Sequence, residues 1–239
     1  MPPAYLSFRV CDARGDDKIT CTVRIVPASD ASLLVSFGSD ISLESHTQVL
    51  RLMRAFSKPS LGIRNLHPAF ASVLIDFDPR RRSHAEIESL IRERMAASSD
   101  APEPKSQLVE IPVCYGGAFG PDLEEVARHA GLPPERVVEL HASIEYRVYF
   151  LGFSPGFPYL GGMPAELATP RLPAPRKRVP AGSVAIGGSQ TGIYSIESPG
   201  GWRLIGRTAL PLFDPTANPP ARLRMGDRVR FLAVRELRA

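Results

Sequence analysis

The amino-acid sequence predicts an α+β chain of two domains, a ββαββα unit followed by a mostly β unit that closes into a barrel. Three features predict it. The first part alternates strand-like and helix-like apolar patterns. The stretch ASSDAPEPKS from Ala97 to Ser106 is small, charged and proline-containing, as a domain boundary is. From Phe150 to Asp214, glycine and proline punctuate recurring apolar and aromatic runs. That pattern suits short strands and demanding turns rather than a helix or a flexible linker.

The predicted boundaries are an extension over residues 1–20, an α+β domain over 21–98, a linker over 99–106 and a β-barrel domain over 107–239. The extension is polar and without period, and reads as loose chain. TVRIVP and SLLVSF read as the first two strands. Ser42 is placed to cap a helix running to Lys58, with Val49, Leu50, Met53 and Phe56 on one face. Gly62 to Phe70 and Ser72 to Asp78 read as two more strands, the latter alternating as Val73, Ile75 and Phe77. Ser83 and Glu86 form a capping-box pattern before the stripe Ile87, Leu90, Ile91 and Met95. Two helices on one face of a four-stranded sheet would bury these residues.

In the second domain, LVEIPVCY reads as a strand. Pro121-Asp122 opens a helix that Gly131 ends, and Pro133-Pro134 opens another ending near His141. Glu145 to Phe153 and a final VRFLAV, introduced by Gly226-Asp227, read as strands. Closure into a barrel removes the unpaired edges of so many short strands.

Composition narrows the function. At 239 residues, 44% hydrophobic and 23% charged, the chain can build a proper core. A net charge of +4 with only one short basic run, Arg80-Arg81-Arg82, does not describe a nucleic-acid surface. Cys11, Cys21 and Cys114 have no metal-ligand spacing, so no metal site is expected. The N-terminus lacks the apolar core of a signal peptide, and no run is long enough to span a membrane. A cytoplasmic location is expected.

The glycine-rich GGSQTG is not a phosphate loop, because no lysine or helix follows it, and a tight hairpin suits it better. Ser183 reads as a hydrogen-bonding group rather than a nucleophile. His141, between a helix end and a strand, is a candidate acid/base, and equally a cap or a buried hydrogen-bonding group. His46, His67, His84 and His129 sit on expected surfaces or turns. Arg171, Arg176 and Arg207 lie among proline, glycine and apolar residues, with only Glu166, Glu197 and Asp214 near in sequence. They could fix carboxylates or backbone carbonyls, or bind a substrate anion. Gln190, Thr191, Tyr194 and Thr208 add neutral hydrogen-bonding groups, and Phe153, Phe157, Tyr159 and Trp202 could line a small-molecule pocket.

The motifs GFSPGFPYLGG, TPRLPAPRKRVPAGSVAIGGSQTGIYSIESPGGW and IGRT…FDP, with IPVCYGGAFGPDLEEVARHAGL, VVELHAS and VLIDFDP upstream, resemble one family. It is that of the B component of 5-oxoprolinase, also called allophanate hydrolase subunit 1 or the Kip-type kinase inhibitor. The resemblance runs from about residue 22 to the C-terminus. It implies a DCoH-like N-terminal domain and a cyclophilin-like barrel. It also implies two partners, a related carboxyltransferase-like C component and an A component. The three together would open 5-oxoproline with ATP, and this chain alone would hold no cofactor. Inhibition of a sensor histidine kinase by direct binding, or half of a urea or amide carboxyltransferase, are the alternatives it carries. On this reading His141 and Arg207 are expected to be catalytic, with Arg176, Ser183, Gln190, Tyr194 and Thr208 binding substrate.

Overall fold

The structure is a computed structural model, and it describes residues 6–10, 21–57, 62–98 and 106–237. The chain divides into two compact units, Met1–Pro104 and Lys105–Ala239.

The first unit is a five-stranded antiparallel sheet with two helices. Its strands are β1 (Leu6–Val10), β2 (Cys21–Ser29), β3 (Ser32–Ser36), β4 (Ile63–Pro68) and β5 (Ser72–Phe77), in the order β1-β2-β3-β5-β4. The expected four strands are all present. The fifth, β1, corrects the reading of residues 1–20 as loose chain: Leu6–Val10 pairs in register with Cys21–Ile25. The rest of that extension lies outside the described residues. Along β5, Val73, Ile75 and Phe77 are fully buried while their neighbours are not, the period-two signature of a half-covered sheet.

Helix α1 (Leu43–Ala55) starts where Ser42 Oγ accepts the Ser45 amide, and stops short of the expected Lys58. Helix α2 (His84–Ala97) has the complete capping box, with the Ser83 amide donating to Glu86 and the Glu86 amide to Ser83 Oγ. The Ser83 amide and the Ser83 hydroxyl both donate to the Glu86 carboxylate and hold it below its usual range. Arg51 donates to the Met95 carbonyl at 2.6 Å, tying the two helices together. His46, expected on a surface, is 1% exposed, because α1 turns it inward.

The second unit is a closed seven-stranded barrel with two helices. Strands β6 (Leu108–Tyr115), β7 (Glu145–Leu151), β8 (Pro158–Gly161), β10 (Ser183–Gly187), β11 (Gln190–Ile193), β13 (Arg203–Arg207) and β14 (Arg228–Ala233) close in the order β10-β11-β8-β7-β14-β6-β13. All neighbours are antiparallel except β14 with β6. A separate two-stranded ribbon pairs β9 (Arg176–Val179) with β12 (Ser198–Gly200). Helix α3 (Leu123–Ala130) ends at Gly131 in the left-handed region, φ 67°, and α4 (Pro134–Ala142) begins on a proline, both as expected. Ile111, Val148, Leu160, Ile186, Ile205 and Phe231 fill the core. Among the described residues no helix is long and apolar enough to cross a membrane, and no cluster of three or more acidic, histidine or cysteine side chains could hold a metal.

Candidate functional site: an aromatic cleft on the barrel

Trp202, the chain's one tryptophan, stands just before β13. Its indole sits where β10 carries Gly187, since a Cβ there would meet the ring at 2.5 Å. Phe157 is seated the same way: a Cβ on Gly192 would approach its ring to 2.8 Å. Gly200 makes room for Tyr194, whose hydroxyl would collide with an added Cβ. These glycines of the central segment serve close packing of aromatic rings. Gly188, at φ 65°, makes the turn between β10 and β11 that replaces any phosphate loop.

The rings form an edge-to-face box. Phe157 meets Trp202 at 5.6 Å and 86°, Tyr194 at 5.3 Å and 81°, and Tyr159 at 5.0 Å and 62°. Phe153 stands against Phe157 and Tyr194 at 5.5 and 6.2 Å. It is 62% exposed with φ 68°, a left-handed backbone rare for a bulky residue. Together with Arg171, Leu172 and Pro175 these rings line a cleft of about 280 Å³. The Arg171 guanidinium lies 5.7 Å from the Trp202 ring centroid, within cation–π range. Burial raises the phenol pKa values of Tyr159 and Tyr194, partly opposed by Arg171 in both. Both phenols are therefore neutral hydrogen-bonding groups near neutral pH.

A second cleft of about 440 Å³ shares Tyr194 and is lined by Gly182, Ser195, Arg207, Thr208 and Leu237. Arg207 donates through Nε to the Ala181 carbonyl at 3.0 Å, and Thr208 Oγ1 accepts the Leu210 amide at 3.1 Å.

The structure thus brings Phe153, Phe157, Tyr159, Tyr194 and Trp202 together, and places Arg207 and Thr208 round the corner. Ser183, 2% exposed in β10, and Gln190, at the start of β11, line neither cleft. Arg176 is a correction. It donates through Nη2 to Asp122 Oδ1 at 2.7 Å, and Asp122 Oδ2 accepts the Leu204 amide at 2.7 Å. Asp122 is 6% exposed, so this arginine closes a structural ion pair.

His141 is the larger correction. It is 0% exposed and stacks on Phe231 at 4.6 Å. Its Nε2 lies 2.9 Å from Thr191 Oγ1, which donates to the Ala185 carbonyl, and Tyr115 Oη lies 2.8 Å from Nδ1. One consistent chain runs from the Tyr115 hydroxyl to Nδ1, and from Nε2–H to Thr191. With both nitrogens hydrogen-bonded and burial lowering its pKa from 6.5 to about 3, His141 is held neutral inside the barrel unit.

Residues 23–223 match the carboxyltransferase domain, subdomain C and D. The barrel and its cleft therefore belong to that class of domain. Within it, the chain is 43% identical over 231 residues to the B component of 5-oxoprolinase from Bacillus subtilis, covering 91% of this chain and 95% of that protein. It is 46% identical over 213 residues to the B component of 5-oxoprolinase from Escherichia coli O157:H7, covering 87% and 94%. Among solved structures, TTHA0988 superimposes with a TM-score of 0.75 at 42% identity over 85% of this chain, which spans 40% of that protein. The chain belongs to the family of 5-oxoprolinase B components.

Proposed function

We propose that this chain is the B component of an ATP-dependent 5-oxoprolinase that, with the A and C components, opens 5-oxo-L-proline to L-glutamate in the cytoplasm. The observation that carries this reading is identity of 40–46% to three proteins of that name, over nearly the whole of each. A five-membered lactam is a stable amide, so its opening has to be coupled to activation. Transfer of the ATP γ-phosphoryl to the lactam oxygen, with release of ADP, activates the ring carbon. One water adds there and the protonated ring nitrogen leaves, which breaks the C–N bond and gives an acyl phosphate, and a second water displaces phosphate to leave glutamate.

The cleft suits binding and charge stabilisation better than acid–base chemistry. It offers an exposed guanidinium, two neutral phenols and aromatic faces. On this reading, phosphoryl transfer and proton movement fall to the other components. The test is reconstitution of all three with 5-oxoproline and ATP, reading glutamate. Turnover is expected only when this chain is present. Undiminished glutamate formation without it would overturn the reading.

A second reading, half of a carboxyltransferase acting on urea or a related amide, is favoured by the subdomain C and D match. It predicts bicarbonate-dependent ATP hydrolysis with a biotin-carrying partner, and no glutamate.

A further inference from the structure

Arg171, like Arg207, which donates to the Ala181 carbonyl, has no carboxylate partner, unlike three other arginines of its segment. Arg176 is paired with Asp122, Arg178 with Glu197 at 2.8 Å, and Arg203 with Glu125. Among the described residues Arg171 makes no ion pair, and it lies against the face of Trp202. A cation held at the mouth of an aromatic cleft, with no carboxylate of its own, is a receptor for one. The cleft behind it is preformed, because Gly187, Gly192 and Gly200 lock Trp202, Phe157 and Tyr194 in place. At about 280 Å³ the space suits one small ring, not a nucleotide.

We infer that this chain, by itself, binds a small cyclic carboxylate in the aromatic cleft, the carboxylate on Arg171 and the ring on the faces of Trp202, Phe157 and Tyr159. The choice of 5-oxo-L-proline as first probe rests on the function proposed above; the class of ligand rests on the geometry. A ligand this small is expected to bind on the order of millimolar.

Trp202 makes the test direct, because it is the only tryptophan and stands in the site. Its emission is followed while the isolated chain is titrated with 5-oxo-L-proline, with 2-pyrrolidinone, which is the same lactam lacking the carboxylate, and with cyclopentanecarboxylate, which lacks the lactam. The expected result is a saturable change with 5-oxoproline and one about tenfold weaker or absent with pyrrolidinone. Arg171→Gln should weaken 5-oxoproline binding by about tenfold or more, the loss of a charge-assisted contact. Arg171 is exposed, so this variant should fold, with circular dichroism as the check. Arg178→Gln, which removes a cation of the same strand region that lines neither cleft, should bind as the parent does.

Cyclopentanecarboxylate binding that depends on Arg171, without 5-oxoproline binding, supports the cyclic-carboxylate site and counts against the 5-oxoprolinase reading alone. Saturation by none of the three overturns the inference, as does equal binding of pyrrolidinone or full binding by Arg171→Gln. If the three reconstituted components still form glutamate in that case, the function stands without it.

Discussion

His141 shows what burial does to a titratable side chain. The folded protein keeps it neutral, with its pKa lowered to about 3, while the unfolded chain protonates it at its ordinary 6.5. A depressed folded-state pKa means that stability from this group is fully present above about pH 6.5 and is lost as pH falls from there toward 3. Between about pH 7 and pH 5 that share amounts to about 2 kcal/mol. Urea unfolding should show it as a drop in midpoint that His141→Gln, which cannot titrate, does not share. His141→Ala should cost about 3 kcal/mol at neutral pH, since it opens a cavity against Phe231 and strands the Tyr115 hydroxyl. An unchanged midpoint in the alanine variant would mean that His141 carries no weight.

At the scale of elements, the hairpin of β10 and β11 separates two reasons for glycine. Gly188 needs its left-handed φ of 65° but has nothing within 4 Å of an added Cβ, whereas Gly192 would press a Cβ to 2.8 Å from Phe157 and from the Pro158 carbonyl. Gly188→Ala should therefore cost about 1 kcal/mol of backbone strain and leave Trp202 emission alone. Gly192→Ala should cost about 1–3 kcal/mol of overpacking and shift that emission, because Phe157 moves against Trp202. Thermal unfolding followed by tryptophan fluorescence distinguishes them, and equal effects in both would contradict the seating of the rings. Local chemistry of this kind was open to sequence reading. The Ser83–Glu86 box, the Gly131 stop and the proline start of α4 are each decided within a few residues, and all stand where expected. The reason for Gly187, Gly192 and Gly200 was not, because the rings they admit come from other strands.

For the whole molecule, the division into a β-rich barrel unit and an α+β unit was legible because hydrophobic period and linker composition are properties of segments. Two things were hidden. β1 has a period of two, Leu6, Phe8 and Val10 alternating with Ser7 and Arg9, but over only five residues beside a polar stretch, and its pairing with β2 is what makes it a strand. The arginine partners were sought near in sequence, yet Asp122 is 54 residues from Arg176 and Glu125 is 78 from Arg203. That is why the partner of Arg176 is not legible in the sequence. Asp122 is the long-range knot of the barrel unit. It opens α3, accepts the Leu204 amide of β13, and through Arg176 holds the start of β9, which pairs with Gly200 beside the cleft. Asp122→Asn keeps the size but removes the charge from a largely buried pair whose arginine is 30% exposed. Discounted for that exposure, the loss should be about 2 kcal/mol. The ribbon β9–β12 should loosen with it, so Trp202 emission should shift red before global unfolding, and 5-oxoproline binding should weaken. Glu197→Gln, which breaks the fully exposed pair with Arg178 on the same ribbon, should change neither midpoint nor emission. Equal behaviour of the two variants would show that the ribbon is held by its strand pairing alone, and that the cleft does not depend on the Asp122 knot.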